Sequence, residues 1–152
     1  MRIIVAAVGR GGADPGQALF DHYARRITFP FQLKEVSVKR ALEGAVLMKA
    51  EGDLLLGALP DGATLVALDA RGRALDSAAF AKKLGDWRDQ GVRDLGFVIG
   101  GADGLDASVT KDATLVLSLG PMIWPHLLVR GMLAEQVYRA QCILSGHPYH
   151  RA

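Results

Sequence analysis

Five short apolar runs, spaced along the chain with helical stretches between them, restrict this sequence to a layered α/β fold. They occupy residues 3–8, 31–38, 64–68, 95–99 and 113–117. Four are nearly continuous in apolar character, the pattern of parallel strands covered on both faces. The second alternates, with Leu33, Val36 and Val38 set against Lys34, Glu35 and Ser37, which suits an edge or half-covered strand. Residues 15–26 read as a helix behind Asp14, an N-cap with proline in the first turn. Residues 41–59 keep Leu42, Val46, Leu54, Leu55 and Leu59 at helical spacing, weakened by Gly44, Gly52 and Gly57. Residues 77–90 run from Asp76 to Gly91, a cap pair. A last helix, 125–144, aligns Val129, Leu133, Val137, Ala140 and Leu144 on one core stripe and sets Arg130, Glu135, Tyr138 and Arg139 on other faces. The order β-α-β-α-β-α-β-β-α predicts one α/β domain over residues 1–152, a mainly parallel sheet flanked by helices.

A chain of 152 residues, half of them hydrophobic and 22% charged, has the means to bury a real core. The single Cys142 cannot build a disulfide framework, and a reducing cytoplasm is the natural expectation. The first apolar run is too short for a signal peptide. The most hydrophobic stretch, 127–144, carries Arg130, Glu135, Gln136 and Arg139, which argues against a membrane span. A net charge of +2 is too mild to establish nucleic-acid binding. Basic residues do collect near element ends, at Arg25-Arg26, Lys39-Arg40, Arg71 with Arg73, and Arg151, although solvated surface charge explains any single pair.

Ligands of open α/β sheets bind beyond the carboxyl ends of the strands. Three segments fall there: 68–73, the glycine turn 100–104, and the loop 120–126. The last, Gly120-Pro121-Met122-Ile123-Trp124-Pro125-His126, is an apolar loop stiffened by two prolines and leading into a helix. By contrast, Gly9-Arg10-Gly11-Gly12 lacks both the G-x-G-x-x-G spacing and the P-loop ending, and reads as a flexible turn. His126 follows proline at a helix start and either contacts substrate or caps the helix; no Ser or Cys nucleophile pairs with it. His147 and His150 have H-x-x-H spacing, but a zinc site needs further ligands and none is expected. After Gly146, a helix stop, the segment His147-Pro148-Tyr149-His150-Arg151 is expected to leave the body as an extended tail over 146–152.

Taken together, Val5-Ala6-Ala7-Val8-Gly9, Val66-Ala67-Leu68-Asp69 with Gly72, Phe97-Val98-Ile99-Gly100-Gly101-Ala102-Asp103-Gly104, Ser118-Leu119, Pro125-His126-Leu127-Leu128-Val129-Arg130, Glu135-Gln136-Val137-Tyr138-Arg139-Ala140 and the terminal His147–Arg151 stretch carry a resemblance. The chain resembles the bacterial pseudouridine N3-methyltransferases of 23S ribosomal RNA, within the SPOUT superfamily. The resemblance spans essentially the whole chain, and its last three segments are the specific ones. It implies a C-terminal trefoil knot, a homodimer, and S-adenosylmethionine (AdoMet) as methyl donor. It further implies 23S rRNA, in the assembled ribosome, as partner, with 146–152 as an RNA-facing tail whose guanidinium, ring and imidazole suit a single-stranded loop. The cofactor residues it implies are Leu68, Gly100, Gly101, Gly120, Pro121, Met122, Ile123, Trp124 and Pro125. Those implied for RNA recognition and methyl transfer are His126, Tyr149, His150 and Arg151. Pro121 and Trp124 stand where relatives often carry smaller or aliphatic residues. The proton acceptor stays open among His126, His150 and water. Two rivals fit the α/β pattern: a SPOUT enzyme for another RNA position, and a non-catalytic nucleotide-binding module with a flavodoxin-like sheet.

Overall fold

The computed structural model describes residues 1–150, His150 through its backbone only. Its centre is a five-stranded sheet in the order β2-β1-β4-β3-β5, every pair parallel. The strands are β1 Arg2–Val8, β2 Phe31–Val36, β3 Thr64–Ala74, β4 Asp94–Ile99 and β5 Leu115–Ser118. The alternating second run is an edge strand, β2, half-covered along its length. The continuous run of β1 lies inside, buried from Ile3 to Val8.

Among the described residues, five α-helices cover the two faces: α1 Pro15–Ala24, α2 Gly44–Gly57, α3 Ser77–Asp89, α4 Ala107–Asp112 and α5 His126–Ser145. Strand periodicity sends Ile3, Val5 and Ala7 to the face covered by α1, α3 and α5, where Phe20, Phe80, Leu84, Leu133 and Val137 complete the larger core. Ala6 and Val8 point to the other face and pack with Leu55, Leu105 and Val109 of the α2–α4 side. Helices α1 and α5 touch backbone to backbone. A Cβ on Gly16 would fall 2.3 Å from the Leu127 carbonyl oxygen, and one on Gly131 would fall 2.9 Å from the Gly16 carbonyl oxygen. Two glycines therefore set how closely the start of α5 approaches α1.

Several boundaries differ from the sequence reading, each for a local reason. α2 begins only at Gly44, whose φ of +58° does not continue a right-handed helix backward. On that helix Val46 and Leu54 are exposed rather than core. The six-residue α4 was absent from the expected order; Asp106 caps it through Ser108 N–H. Segment 68–73 is not a loop. β3 runs on to Ala74, with a register break between Leu68 and Arg73 after which Arg73 and Ala74 pair with β5. Asp69 makes the break by accepting from Arg71 N–H at 2.8 Å, and Gly72 lies flat against β5, a Cβ there falling 2.5 Å from the Val116 carbonyl oxygen. No helix among the described residues is long and apolar enough to cross a membrane.

The tail departs most. Pro148–His150 form one 3-10 turn instead of an extended segment. The Tyr149 ring packs against Tyr138 at 4.7 Å and Tyr23 at 6.5 Å between centroids, with the Arg139 guanidinium 5.0 Å from its centre. Gly146 does stop α5, at φ +75°, but the chain then folds back because those aromatic and charged partners stand within reach.

Candidate active site

Parallel strands deliver their carboxyl ends to one edge of the sheet, and a cleft of about 600 Å³ opens there. Its walls come from Leu68 to Arg71 at the bend in β3, from Ile99 to Leu105 after β4, and from the loop after β5. Met48 of α2 and His126 and Val129 of α5 close it. Of the residues expected to hold a cofactor, Leu68, Gly100, Gly101, Gly120, Met122, Ile123 and Trp124 all line this one cleft, together with His126. Pro121 and Pro125 belong to the same loop without lining it; Pro125 is the N-cap residue of α5.

The glycine turn is held tightly from behind. Gly104 N–H donates to the Gly101 carbonyl at 3.0 Å, and the two residues form an isolated antiparallel bridge. A Cβ on Gly100 would meet the Gly104 carbonyl at 2.7 Å. A Cβ on Gly101 would point at the Glu51 carboxylate, 2.9 Å away, and at Val8, not into the cleft. Packing against α2 beneath it is thus one reason for glycine at 101. Burial, with Asp103 nearby, pushes the Glu51 carboxyl above its ordinary range.

The loop after β5 is pinned at its root. Ser118 Oγ accepts from Gly120 N–H at 3.0 Å and lies 3.0 Å from the Ala70 carbonyl, tying the β3 bend to the loop. Gly120 turns at φ +110°. Beyond it Met122 and Ile123 are exposed at 68% and 93%, so the apolar tip of the loop faces outward at the mouth of the cleft. On the opposite wall the Arg71 guanidinium, hydrogen-bonded to Asp69, holds that carboxyl below its ordinary range.

His126 begins α5. Burial, and behind it the Arg130 charge, lower its pKa, while Asp14 opposes them. Its ring is therefore neutral near pH 7, with a nitrogen able to accept a proton. Arg130 is not on an outer face of α5, as the periodicity suggested, but fully buried and paired with Glu35 at 2.7 Å. The turn Gly9-Arg10-Gly11-Gly12 is likewise not loose, since Gly11 N–H donates to the same Glu35 carboxylate at 2.6 Å. Neither feature was found from sequence. The one signal for it was a charged residue, Glu35, inside an edge strand.

Tyr149 stands apart from the cleft. Its hydroxyl lies 3.1 Å from Glu135 and 3.2 Å from the Tyr23 hydroxyl, and burial raises its pKa. Arg151 and the His150 side chain lie outside the described residues. Among the described residues no group of three or more His, Cys, Asp or Glu is gathered as for a metal ion.

Residues 1–150 match the family model described as "Predicted SPOUT methyltransferase". The chain is 58% identical over 152 residues to the "Ribosomal RNA large subunit methyltransferase H" of Rhodospirillum centenum, covering 100% of both chains. It is 54% identical over 151 residues to the protein of the same name from Paramagnetospirillum magneticum, covering 99% of both. Among solved structures, a probable methylase family protein from Haemophilus influenzae Rd KW20 shares the fold at TM-score 0.58 and 14% identity, over 99% of this chain and 70% of that one. With a family model spanning nearly its whole length and relatives this similar end to end, the chain belongs to the SPOUT methyltransferase family.

Proposed function

We propose that this protein transfers the methyl group of AdoMet to N3 of a pseudouridine in 23S rRNA, on the assembled ribosome, as a cytoplasmic homodimer. The observation that carries the reading is the full-length similarity to proteins named ribosomal RNA large subunit methyltransferase H, joined to a cleft where α/β sheets hold ligands. The residues present fit AdoMet. A cleft of about 600 Å³ is the size of a small-molecule site, and Leu68, Met48 and Trp124 supply apolar walls for a nucleoside. The glycine turn and the Gly120 loop offer backbone groups, and Asp103 places a carboxylate in the wall, the sign that suits a cation. Gly100, Gly101 and Gly120 to Pro125 are the proposed holders.

A bound sulfonium supplies an electrophilic methyl group. The protein's share is then to hold the target nitrogen in line, keep water out and accept the imide proton that leaves as the N–C bond forms. His126 is the proposed acceptor, because it lines the cleft and its surroundings keep it neutral. Tyr149 anchors the root of the tail through Glu135 and Tyr23. His150 and Arg151 serve rRNA recognition by the chemistry of imidazole and guanidinium. The dimer reading is supported by a second, largely apolar groove of about 790 Å³, where Met132 and Gln136 of α5 face Leu19 and Tyr23 of α1.

The test is transfer from isotopically labelled AdoMet, offered with naked 23S rRNA, isolated large subunits and whole ribosomes from cells lacking the activity. Label in rRNA of whole ribosomes supports the reading. Label confined to naked RNA removes the assembled particle from it, and label in none removes the reading.

A further inference from the structure

Arg130 is the largest fully enclosed side chain among the described residues, and no step above uses it. Its Nη1 donates to Gln17 Oε1 of α1 and to Glu35 Oε2 of β2, each at 2.7 Å. Its Nη2 approaches the Val8 carbonyl at 3.3 Å and the Gly9 carbonyl at 3.5 Å, at the end of β1. Its Nε has no hydrogen-bond partner among the described residues. One guanidinium thus joins α5, α1, β2 and the turn after β1. A packed apolar side chain at such a point is commonly as stabilising as an ion pair, or more so. A charge placed there with one N–H unsatisfied calls for a reason beyond stability.

The neighbours supply one. His126 lies one helical turn before Arg130. Its Nε2 is 3.2 Å from where a Cβ on Gly9 would stand, so the ring rests on the turn that Arg130 and Glu35 fasten. Glu35 Oε2 accepts from both Arg130 Nη1 and Gly11 N–H, and Gly11 is buried.

We propose that the Arg130–Glu35 pair is a positioning device for methyl transfer: it fixes the Gly9–Gly12 turn against His126 and sets a cation one helical turn along from it, so that the ring meets the cleft as a proton acceptor. The inference rests on the reading that His126 takes the proton of the target base. Arginine suits this role because it stays charged at every working pH. The other charged groups facing the ring are few. Asp14, at the cap of α1, pulls the opposite way, but its carboxylate accepts from Gly16 N–H at 2.7 Å. Asp69, Arg71 and Asp103 stand across the cleft, the first two bonded to each other. Arg10, in the turn itself, is exposed and acts on Glu35.

The pair makes opposite demands of two substitutions. Removing the cation with Arg130→Met lets the His126 ring protonate more readily. Removing the carboxylate with Glu35→Gln leaves the cation unopposed and makes protonation harder. The experiment follows the His126 ring by NMR across pH in the ligand-free protein, and the rate of methyl transfer to ribosomes across the same range. The midpoint of the ring's titration rises in Arg130→Met and falls in Glu35→Gln, and the acid limb of the rate follows each. On that limb the two variants, each scaled to its own maximum, differ by about threefold or more. Midpoints that move the same way, or not at all, overturn the proposal. If Arg130→Met does not fold, Glu35→Gln decides alone, and a midpoint that stays or rises overturns it. Wild-type protein that methylates no RNA defeats the underlying reading instead, which separates the two failures.

Discussion

The Tyr149 hydroxyl lies 3.1 Å from a Glu135 carboxylate oxygen that also receives Arg139 at 2.7 Å, so the C-terminal turn is fastened to the middle of α5. Tyr149→Phe removes the hydroxyl's contacts with Glu135 and Tyr23 and keeps the ring. Thermal or denaturant unfolding is expected to show a loss of about 0.5–1.5 kcal/mol. Tyr149→Ala, which also removes the packing on Tyr138, costs more. Equal stability of wild type and both variants contradicts the anchoring.

Glu35 gives the pH dependence a sign. The Arg130 hydrogen bond holds its carboxyl below the ordinary value of 4.5 in the folded state. A depressed folded pKa contributes stability that is present above the unfolded value and lost as pH falls through the folded one. Acid titration of wild type is therefore expected to lose stability below about pH 4.5, and Glu35→Gln to lose less over that window. At neutral pH the same variant is less stable by about 1–3 kcal/mol. That is below the figure for a fully buried pair, because the Glu35 side chain is 37% exposed.

The α1–α5 contact tolerates no side chain. Gly16→Val drives a Cβ to within 2.3 Å of the Leu127 carbonyl oxygen, where backbone and not a flexible tip must give way. Unfolding measurements are expected to show a loss of about 1–3 kcal/mol or failure to fold. Gly12→Ala meets no atom within 4 Å, and only its φ of +51° resists, so a smaller cost there is the control.

Gly120 tests the cofactor loop separately from its packing. Nothing lies within 4 Å of a Cβ there, yet φ is +110°. Gly120→Ala strains the backbone by about 1–3 kcal/mol and is expected to weaken AdoMet binding in calorimetry by about tenfold. Unchanged affinity contradicts the placement of the cofactor. Gly101→Val is the poorer probe, since its side chain strikes Glu51 and Val8 rather than the cleft.

Strands and most helices were legible because burial writes itself into periodicity. The apolar run of β1 and the alternation around Leu33 and Glu35 were enough to distinguish an inner strand from an edge. The cleft was legible through chain punctuation, as Gly100-Gly101 follow the end of β4 directly and Gly120 comes two residues after that of β5. What sequence hid was partnership across the fold. Arg130 sits on a helix whose other charged residues, Glu135 and Arg139, stay partly exposed, and only the approach of β2 and α1 makes it a core residue. The bend after Leu68 was hidden because a six-residue segment rich in Asp, Arg and Gly looks like a loop, while β5 holds it as strand. The folding back of Tyr149 was hidden for the same reason, since its partners Tyr23 and Glu135 are distant or on another turn. A knot is a property of the chain's path and leaves no mark on periodicity; that expectation rests on the resemblance alone.

The most direct measurement is the identity of the methylated nucleoside. Ribosomes from cells lacking the activity are incubated with the protein and labelled AdoMet, and the 23S rRNA is digested and analysed by mass spectrometry. The account predicts one labelled nucleoside at one position, a pseudouridine carrying the methyl on N3, absent with His126→Ala at neutral pH or reduced by about a hundredfold. Label on a ribose oxygen or on another base, or full label with His126→Ala, contradicts it.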